Sequence, residues 1–397
     1  MKKLAIFFPH YPFFDVHLYK DIGLFAKYLS MCHFDEVELL KAGNAGSIEQ
    51  KTKYFTVKNL FIDSKMYNER WYHTKLFYTK CIIKSFMYLM QNKNITHIMI
   101  YHIITCSVFF AFLTKLFSPR IKIYFKTDID IDAAITFDKS LRKKLLVSLV
   151  KRWTFSHIDM ISCETTDIFN ILSKNIMIKN LHLIPNGFDD EAYAVNATDI
   201  ISQKENIIIT SSRLGSYQKN TELLLDVLSK VELNDWQVVL IGPIESEEQD
   251  FQKKIDDFLI KYPGLRTKII FTGNITDRQL LFNYYGKAKI FFLPSRFESF
   301  GIALLEAAAF GDYIISTDVG AARDLTNNGQ FGYICPESAQ NNQNEEIMKR
   351  RFIDQFNSII SKSINIEENT IQQIEYIKNN FFMSQIIKKQ VFYDWAE

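Results

Sequence analysis

The sequence predicts an α/β protein built from two doubly wound, Rossmann-like domains. Its 397 residues exceed what one hydrophobic core usually serves, so two domains are expected. Short apolar runs, many of them β-branched, recur without strict polar alternation, as strands buried on both faces of a parallel sheet do. Helical stretches separate these runs in both halves, which is the pattern of doubly wound sheets.

In the first half the expected strands are LAIFF (4–8), EVELL (36–40), HIMIY (97–101), IKIYF (121–125), IDMIS (158–162) and LHLI (181–184). In the second they are NIIIT (206–210), WQVVLIG (236–242), KIIFTG (268–273), KIFFLP (289–294) and YIIST (313–317). The polar, turn-rich stretch 185–206 reads as the linker. The expected domains are 1–185 and 186–380, with a terminal helix over 381–397 that packs back on the first. Ligands of such sheets bind outside the carboxyl ends of the strands, here expected to be an inter-domain cleft.

Pro9 and Pro12 break the apolar start, which reads as a first buried strand rather than a signal peptide. The longest uncharged run, 97–114, splits into a strand and the helix TCSVFFAFLTKLF rather than one membrane span. A cytoplasmic protein without transmembrane segments is therefore expected. Cys32, Cys81, Cys106, Cys163 and Cys335 form no CxxC pair and no metal-ligand spacing, so they read as reduced core thiols.

Through Asn186 there are 26 Lys/Arg against 15 Asp/Glu, a balance of +11; the remainder has 21 against 30, or −9. The asymmetry suggests that the first domain faces something anionic. A pI of about 8.1 and the lack of a known binding module argue against nucleic acid.

Three features of the second half carry chemistry. After strand NIIIT, the loop SSRLGSYQKN sets Arg213 and Lys219 before a helix, a plausible diphosphate clamp or simply a solvated loop. After KIFFLP, Glu298 precedes a helix whose start, Ser299, Phe300 and Gly301, offers backbone N–H groups to phosphate oxygens. Glu298 is equally explained as an acid favoured by the helix dipole. Eight residues on, Glu306 lies among Ala303, Leu304, Leu305 and Ala307 to Ala309; an acid in that company needs a partner, which ribose hydroxyls could supply. FTGNITDRQ precedes this helix and TDVGAARD follows it.

The order R-x5-K, FTGxI, E-x7-E in ESFGIALLE and TDVGAARD resembles the retaining glycosyltransferases of family 4, also called group 1, and PNGFD is similar to that family's hinge. The resemblance is close over 181–336 and holds in outline elsewhere. It implies the GT-B fold and a nucleoside diphosphate sugar as donor. By it, Arg213 and Lys219 would bind the diphosphate, and Glu298 would contact the transferred sugar. Glu306 would hold the ribose, Ser299 to Gly301 would offer backbone donors, and Gly273, Asn274 and Ile275 would border the base. Charge building on the leaving diphosphate is what fixed cations and helix N–H groups stabilise.

The first half departs from the family pattern. PHYPFFDVHLYKDIG has only Gly23 where the family often carries a glycine-rich loop that closes on the donor phosphates. His17, Lys20, Asp21 and Gly23 are candidates for that loop and for acceptor contacts, with capping and packing as the plain alternative. Asp128, Asp130 and Asp132 form a DxD-like run that would suit a hard cation in a different architecture. The favoured reading places Lys126 and Asp128 at a strand's carboxyl end, facing the cleft, with Asp128 orienting an acceptor hydroxyl or acting as base. The segment 138–155, with Lys139, Arg142, Lys143, Lys144, Lys151 and Arg152 beside Leu, Val and Trp153, reads as a basic amphipathic helix for an anionic membrane or as an ordinary surface helix.

The expected activity is retaining transfer of a sugar from a nucleoside diphosphate sugar to a carbohydrate or lipid-linked acceptor, in surface polysaccharide synthesis, without metal or other cofactor. The alternatives are a nucleotide-sugar epimerase or hydrolase on the same fold, and a catalytically silent nucleotide-sugar binder.

Overall fold

Two parallel sheets organise the chain, seen here in a computed structural model that describes residues 1–44, 49–65, 74–142, 146–192, 197–244, 251–337 and 344–397, the side chains of 197 and 198 excepted. The chain divides into two compact units, Met1–Asp189 with Met383–Glu397, and Asp190–Phe382.

The first unit holds β1 (Lys3–Phe8), β2 (Glu36–Gly43), β3 (Gln50–Lys51), β4 (Thr56–Ile62), β5 (His97–Tyr101), β6 (Lys122–Lys126), β7 (Met160–Cys163) and β8 (Leu181–Leu183). Their order is β3-β4-β2-β1-β5-β6-β7-β8, parallel except for β3 against β4. β1 and β5 are buried at every position because helices cover both faces, which is why their sequences lack alternation. The order reverses between β1 and β5, so the loops at their carboxyl ends diverge and leave room for a ligand.

The second unit holds β9 (Ile207–Ser211), β10 (Gln237–Ile241), β11 (Ile269–Gly273), β12 (Ile290–Leu293), β13 (Tyr313–Thr317) and β14 (Gly332–Cys335), all parallel, in the order β11-β10-β9-β12-β13-β14. Here the reversal falls between β9 and β12. Phe292 on β12 meets Phe352 and Phe356 of the helix Glu345–Ile360, each at 5.1 Å between ring centroids, and this pins that helix to the sheet.

The chain's last helices, Met383–Ile387 and Gln390–Ala396, pack within the first unit. Trp395 lies against Tyr124 and Phe34, and its carbonyl oxygen is within 3.1 Å of His97 Nε2. Gly187 approaches Met383 so closely that a Cβ would sit 2.2 Å from its sulfur.

The uncharged run 97–114 is divided between β5 and the helix Thr105–Phe117, and no helix among the described residues is long and apolar enough to cross a membrane. The described residues of the basic segment 138–155 fall on Ile131–Arg142 and Leu146–His157, and Lys143 and Lys144 lie outside the described residues. So do residues 193–196 of the expected linker, which is otherwise a turn at Asp190–Ala192 and a short helix, Ala197–Ser202. All five cysteines are free thiols.

Candidate functional site

The carboxyl ends of β9 and β12 flank the reversal of the second sheet, and their loops carry the charged residues singled out above. Lys219 donates to Glu298 Oε1 at 2.5 Å. Gln218 donates through Nε2 to Glu298 Oε2 at 3.3 Å and to the Phe297 carbonyl at 3.0 Å. Its Oε1 accepts from Arg213 Nη2 at 2.8 Å. Arg213, Gln218, Lys219 and Glu298 thus form one hydrogen-bonded network, and Gln218 was not among the residues expected to matter. A backbone bond from Arg296 N to Gln218 O, 2.8 Å, ties the two loops together. Glu298 is 8% exposed while Arg213 is exposed, so the network has a buried floor and an open cationic edge.

The helix Ile302–Ala309 begins after Gly301, whose φ of +88° only glycine adopts at little cost. The Phe300 side chain is buried and its carbonyl accepts from Ala321 N at 2.8 Å. Gly320 lets the loop after β13 approach: a Cβ there would fall 2.5 Å from the Phe300 carbonyl oxygen and 2.9 Å from Glu298 Cβ.

Glu306 finds protein partners. Arg278 Nη2 donates to Oε1 at 2.7 Å, and the Tyr285 hydroxyl donates to Oε2 at 3.3 Å. Arg278 stacks over Phe282, its guanidinium carbon 4.6 Å from the ring centre. Arg278 follows the loop that leaves β11 at Gly273, in which Asn274 is exposed and Ile275 half-buried. Neither Arg278 nor Tyr285 was expected; no spacing in the sequence links position 278 to 306. A carboxylate accepts about four hydrogen bonds, so two protein donors leave capacity for hydroxyls of a ligand.

The first unit gathers a second cluster at the carboxyl ends of β1, β5, β6 and β7. Lys126 corrects the expectation of a cleft-facing side chain: it is 0% exposed and donates to Glu164 Oε1 at 2.7 Å. Burial works against its charge, but Glu164, with Tyr124, Asp21 and Asp128, overcomes this and raises its pKa. Burial also lifts Glu164 above the usual carboxylate range. These two tendencies imply different protonation states. Three donors to the Glu164 oxygens (Lys126, Thr127 and the backbone N–H of Asp128) favour the charged form, and we read an ion pair. Lys126 therefore fixes the backbone that presents Asp128 rather than meeting a ligand itself.

Asp128 has φ +42° and His102, at the end of β5, has φ +62°; both are costly for residues with a Cβ. His102 Nδ1 lies 3.4 Å from Asp128 Oδ2, and both side chains are 20% exposed. His10 stands edge-on to His102 at 5.3 Å; burial and then the neighbouring His102 hold its pKa well below the ordinary value. Burial and then the Asp128 charge raise Asp21. His17 is engaged with Phe14, its Nδ1 2.9 Å from Phe14 N, and Lys20 is exposed at the cap of the helix Asp21–Cys32. Gly23 is a packing glycine in that helix, since a Cβ would fall 2.2 Å from the Leu18 carbonyl oxygen. His10 and His102 were not singled out by the sequence: His10 lies in PHYPFF, and His102 directly follows HIMIY, which read only as a strand. Asp130 Oδ1 caps the backbone of Ala133 at 2.8 Å, and among the described residues no cluster of three or more His, Cys, Asp or Glu could hold a metal ion.

Residues 197–351 match the family model for glycosyl transferases group 1. The lipopolysaccharide core biosynthesis mannosyltransferase LpcC of Rhizobium leguminosarum bv. viciae is 27% identical over 124 residues, 31% of this chain and 34% of that protein. The chain thus aligns with about a third of that relative's length. Among solved structures, sucrose-phosphate synthase from Thermosynechococcus elongatus superposes with a TM-score of 0.71 at 14% identity, covering 99% of this chain and 100% of that one. Anabaena HepE in complex with UDP and glucose gives 0.67 at 13% identity, with both chains fully covered. These likenesses agree with the two parallel-sheet units described above.

Proposed function

We propose that this chain, which carries a group 1 glycosyltransferase segment over 197–351, moves a sugar from a nucleoside diphosphate donor to a carbohydrate or lipid-linked acceptor. The observation that carries this reading is the network of Arg213, Gln218, Lys219 and Glu298 at the reversal of the second sheet. There, the bond between the anomeric carbon and the diphosphate oxygen breaks, and negative charge builds on the leaving group. Arg213 and Lys219 stabilise that charge, and backbone N–H groups of Ser299 to Gly301 add to them. Glu298 orients Lys219 and contacts the transferred sugar. Glu306 accepts from the ribose, and the segment Gly273 to Ile275 borders the base.

In this reading the acceptor oxygen bonds to the anomeric carbon on the face the diphosphate leaves, retaining configuration, and the acceptor proton passes to the departing phosphate. Asp128, aimed by its strained backbone and by His102, orients the acceptor hydroxyl. No metal or other cofactor takes part, so chelation leaves turnover intact. Two similar proteins support sugar transfer from a nucleotide donor: LpcC is named a mannosyltransferase of lipopolysaccharide core biosynthesis, and HepE was solved with UDP and glucose. The work suits surface polysaccharide synthesis at the cytoplasmic side of an anionic membrane.

Thermal-shift measurement against uridine, guanosine and adenosine diphosphates tests the donor class, since a ligand of the native state raises the unfolding temperature. Incubation with the matching nucleotide sugars follows. Free sugar without any acceptor product would favour a hydrolase, and an isomerised donor an epimerase.

A further inference from the structure

Two loops of the second unit meet residue for residue at the charged network. Positions 217–219, in the loop between β9 and the helix Thr221–Leu228, face positions 296–298, in the loop that leaves β12. Lys219 pairs with Glu298, and Gln218 donates to the Phe297 carbonyl at 3.0 Å. Arg296 closes the series. Its Nη1 donates to the Tyr217 carbonyl at 2.7 Å, and its backbone N donates to the Gln218 carbonyl at 2.8 Å.

The Arg296 guanidinium also covers the Tyr217 ring, its central carbon 4.4 Å from the ring centre. A planar fork stacks on a ring and donates in its own plane at once, which an ammonium cannot do. Arg296 therefore holds Tyr217 by backbone and by side chain. Its Nη2 lies 3.7 Å from Glu345 Oε2, and only 14% of its side chain is exposed. Arg213, by contrast, is exposed. Arg296 is thus turned onto the protein, where it serves as an anchor.

The loop has use for one. Gly215 and Asn220 bend it through left-handed conformations, with φ of +86° and +52°. Between those bends, Gln218 reaches Arg213 on one side and Glu298 on the other. Any drift of the Gln218 backbone moves both ends of the network.

We infer that Arg296 is the positioning residue of this loop: it fixes Tyr217 and Gln218 so that Arg213 and Lys219 stand at the spacing the donor's second phosphate requires. The inference rests on the donor reading above and adds to it the group that sets the clamp. Without the anchor, the loop must be ordered when the diphosphate binds, and that ordering is drawn from affinity and from turnover.

The test is calorimetric titration of the native chain, Arg296→Ala and Arg296→Lys with two nucleotides. One is the nucleoside diphosphate that most raises the unfolding temperature; the other is the monophosphate of the same base. Arg296→Ala should weaken the diphosphate about fivefold and leave the monophosphate unchanged, because only the first carries a second phosphate. Arg296→Lys keeps a donor for the Tyr217 carbonyl and should recover part of the loss. Turnover gives a second readout. Arg296→Ala should slow the native chain about fivefold but the Gln218→Leu chain by less than about twofold, since the ordering passes through Gln218.

Urea unfolding checks that the variants fold. If Arg296→Ala does not, Tyr217→Leu, which removes the stacked ring, must show the same selective loss of the diphosphate. Equal weakening of both nucleotides, or losses that simply multiply with those of Gln218→Leu, would reduce Arg296 to packing and overturn the inference. So would a diphosphate affinity that Arg296→Ala leaves unchanged, with the donor reading still standing. A native chain that binds no nucleoside diphosphate overturns the donor reading, and the role of Arg296 falls with it.

Discussion

Lys219 donates to Glu298 across 79 residues of sequence, joining the loops that leave the two strands flanking the reversal of the second sheet. The ammonium is thereby aimed before any ligand arrives, and Gln218 extends the same order to Arg213. Lys219→Ala should lower turnover by about 10²- to 10³-fold, as removal of a fixed charge stabiliser does elsewhere. Gln218→Leu keeps both cations but removes the Gln218 hydrogen bonds to Arg213 and Glu298, so a smaller loss, about tenfold, is expected. Steady-state kinetics decide; equal losses from both variants would contradict the assigned roles.

Asp128 is proposed to serve the acceptor and not the donor. Asp128→Asn tolerates the same left-handed backbone and removes the charge. Transfer should fall about tenfold or more while the affinity for nucleoside diphosphate stays unchanged. Calorimetry beside a transfer assay reads both, and unchanged turnover would remove Asp128 from the mechanism.

A buried ion pair supports the second unit. Lys204 reaches Asp312, with 6% and 0% of their side chains exposed, and also bonds the Ala288 and Tyr285 carbonyls. Burial lifts Asp312 to about 7, against the pull of Lys204, and burial lowers Lys204. Lys204→Met strands the carboxyl and should cost about 3–5 kcal/mol, whereas Lys204→Met with Asp312→Leu should recover most of it. An acid raised in the fold keeps its stability below the unfolded value and loses it as pH rises. Native chain and variant lose stability alike until the native Asp312 ionises near 7, so the cost of Lys204→Met should be flat below that pH and grow above it in urea unfolding; a cost that does not change above 7 would contradict this.

Two buried histidines of the first unit set its acid limit. Burial lowers His97 to about 4, against a hydrogen bond with the Trp395 carbonyl, and burial holds His10 well below its ordinary value. Both stay neutral in the fold, while the unfolded chain takes up protons below about 6.5. Stability should be intact above that pH and fall on acidification towards 4, by at most about 1.4 kcal/mol per pH unit for each histidine. His97→Gln keeps a donor for Trp395 and should flatten that slope in unfolding curves recorded across this range.

The central strands were legible because their burial on both faces leaves unbroken apolar runs such as HIMIY and KIFFLP. The margins were not: TVKNLFI in β4 mixes polar and apolar residues, being only partly covered, and in β14 Tyr333 and Ile334 are only half-buried. Arg213, Lys219, Glu298 and Glu306 could be found from their order along the chain. Their partners could not, because Arg278 and Tyr285 meet Glu306 only through the packing of one helix on another. Lys126 misled for the same reason. A lysine ending a strand reads as a surface cation until Glu164, 38 residues away, is seen to bury it.

The most direct measurement is a crystal structure of the chain with its preferred nucleoside diphosphate. The terminal phosphate is expected within about 3 Å of Lys219 Nζ and of the Arg213 guanidinium, with the ribose hydroxyls on Glu306. A diphosphate bound elsewhere, with Lys219 and Glu298 still paired and the phosphates touching neither cation, would contradict it.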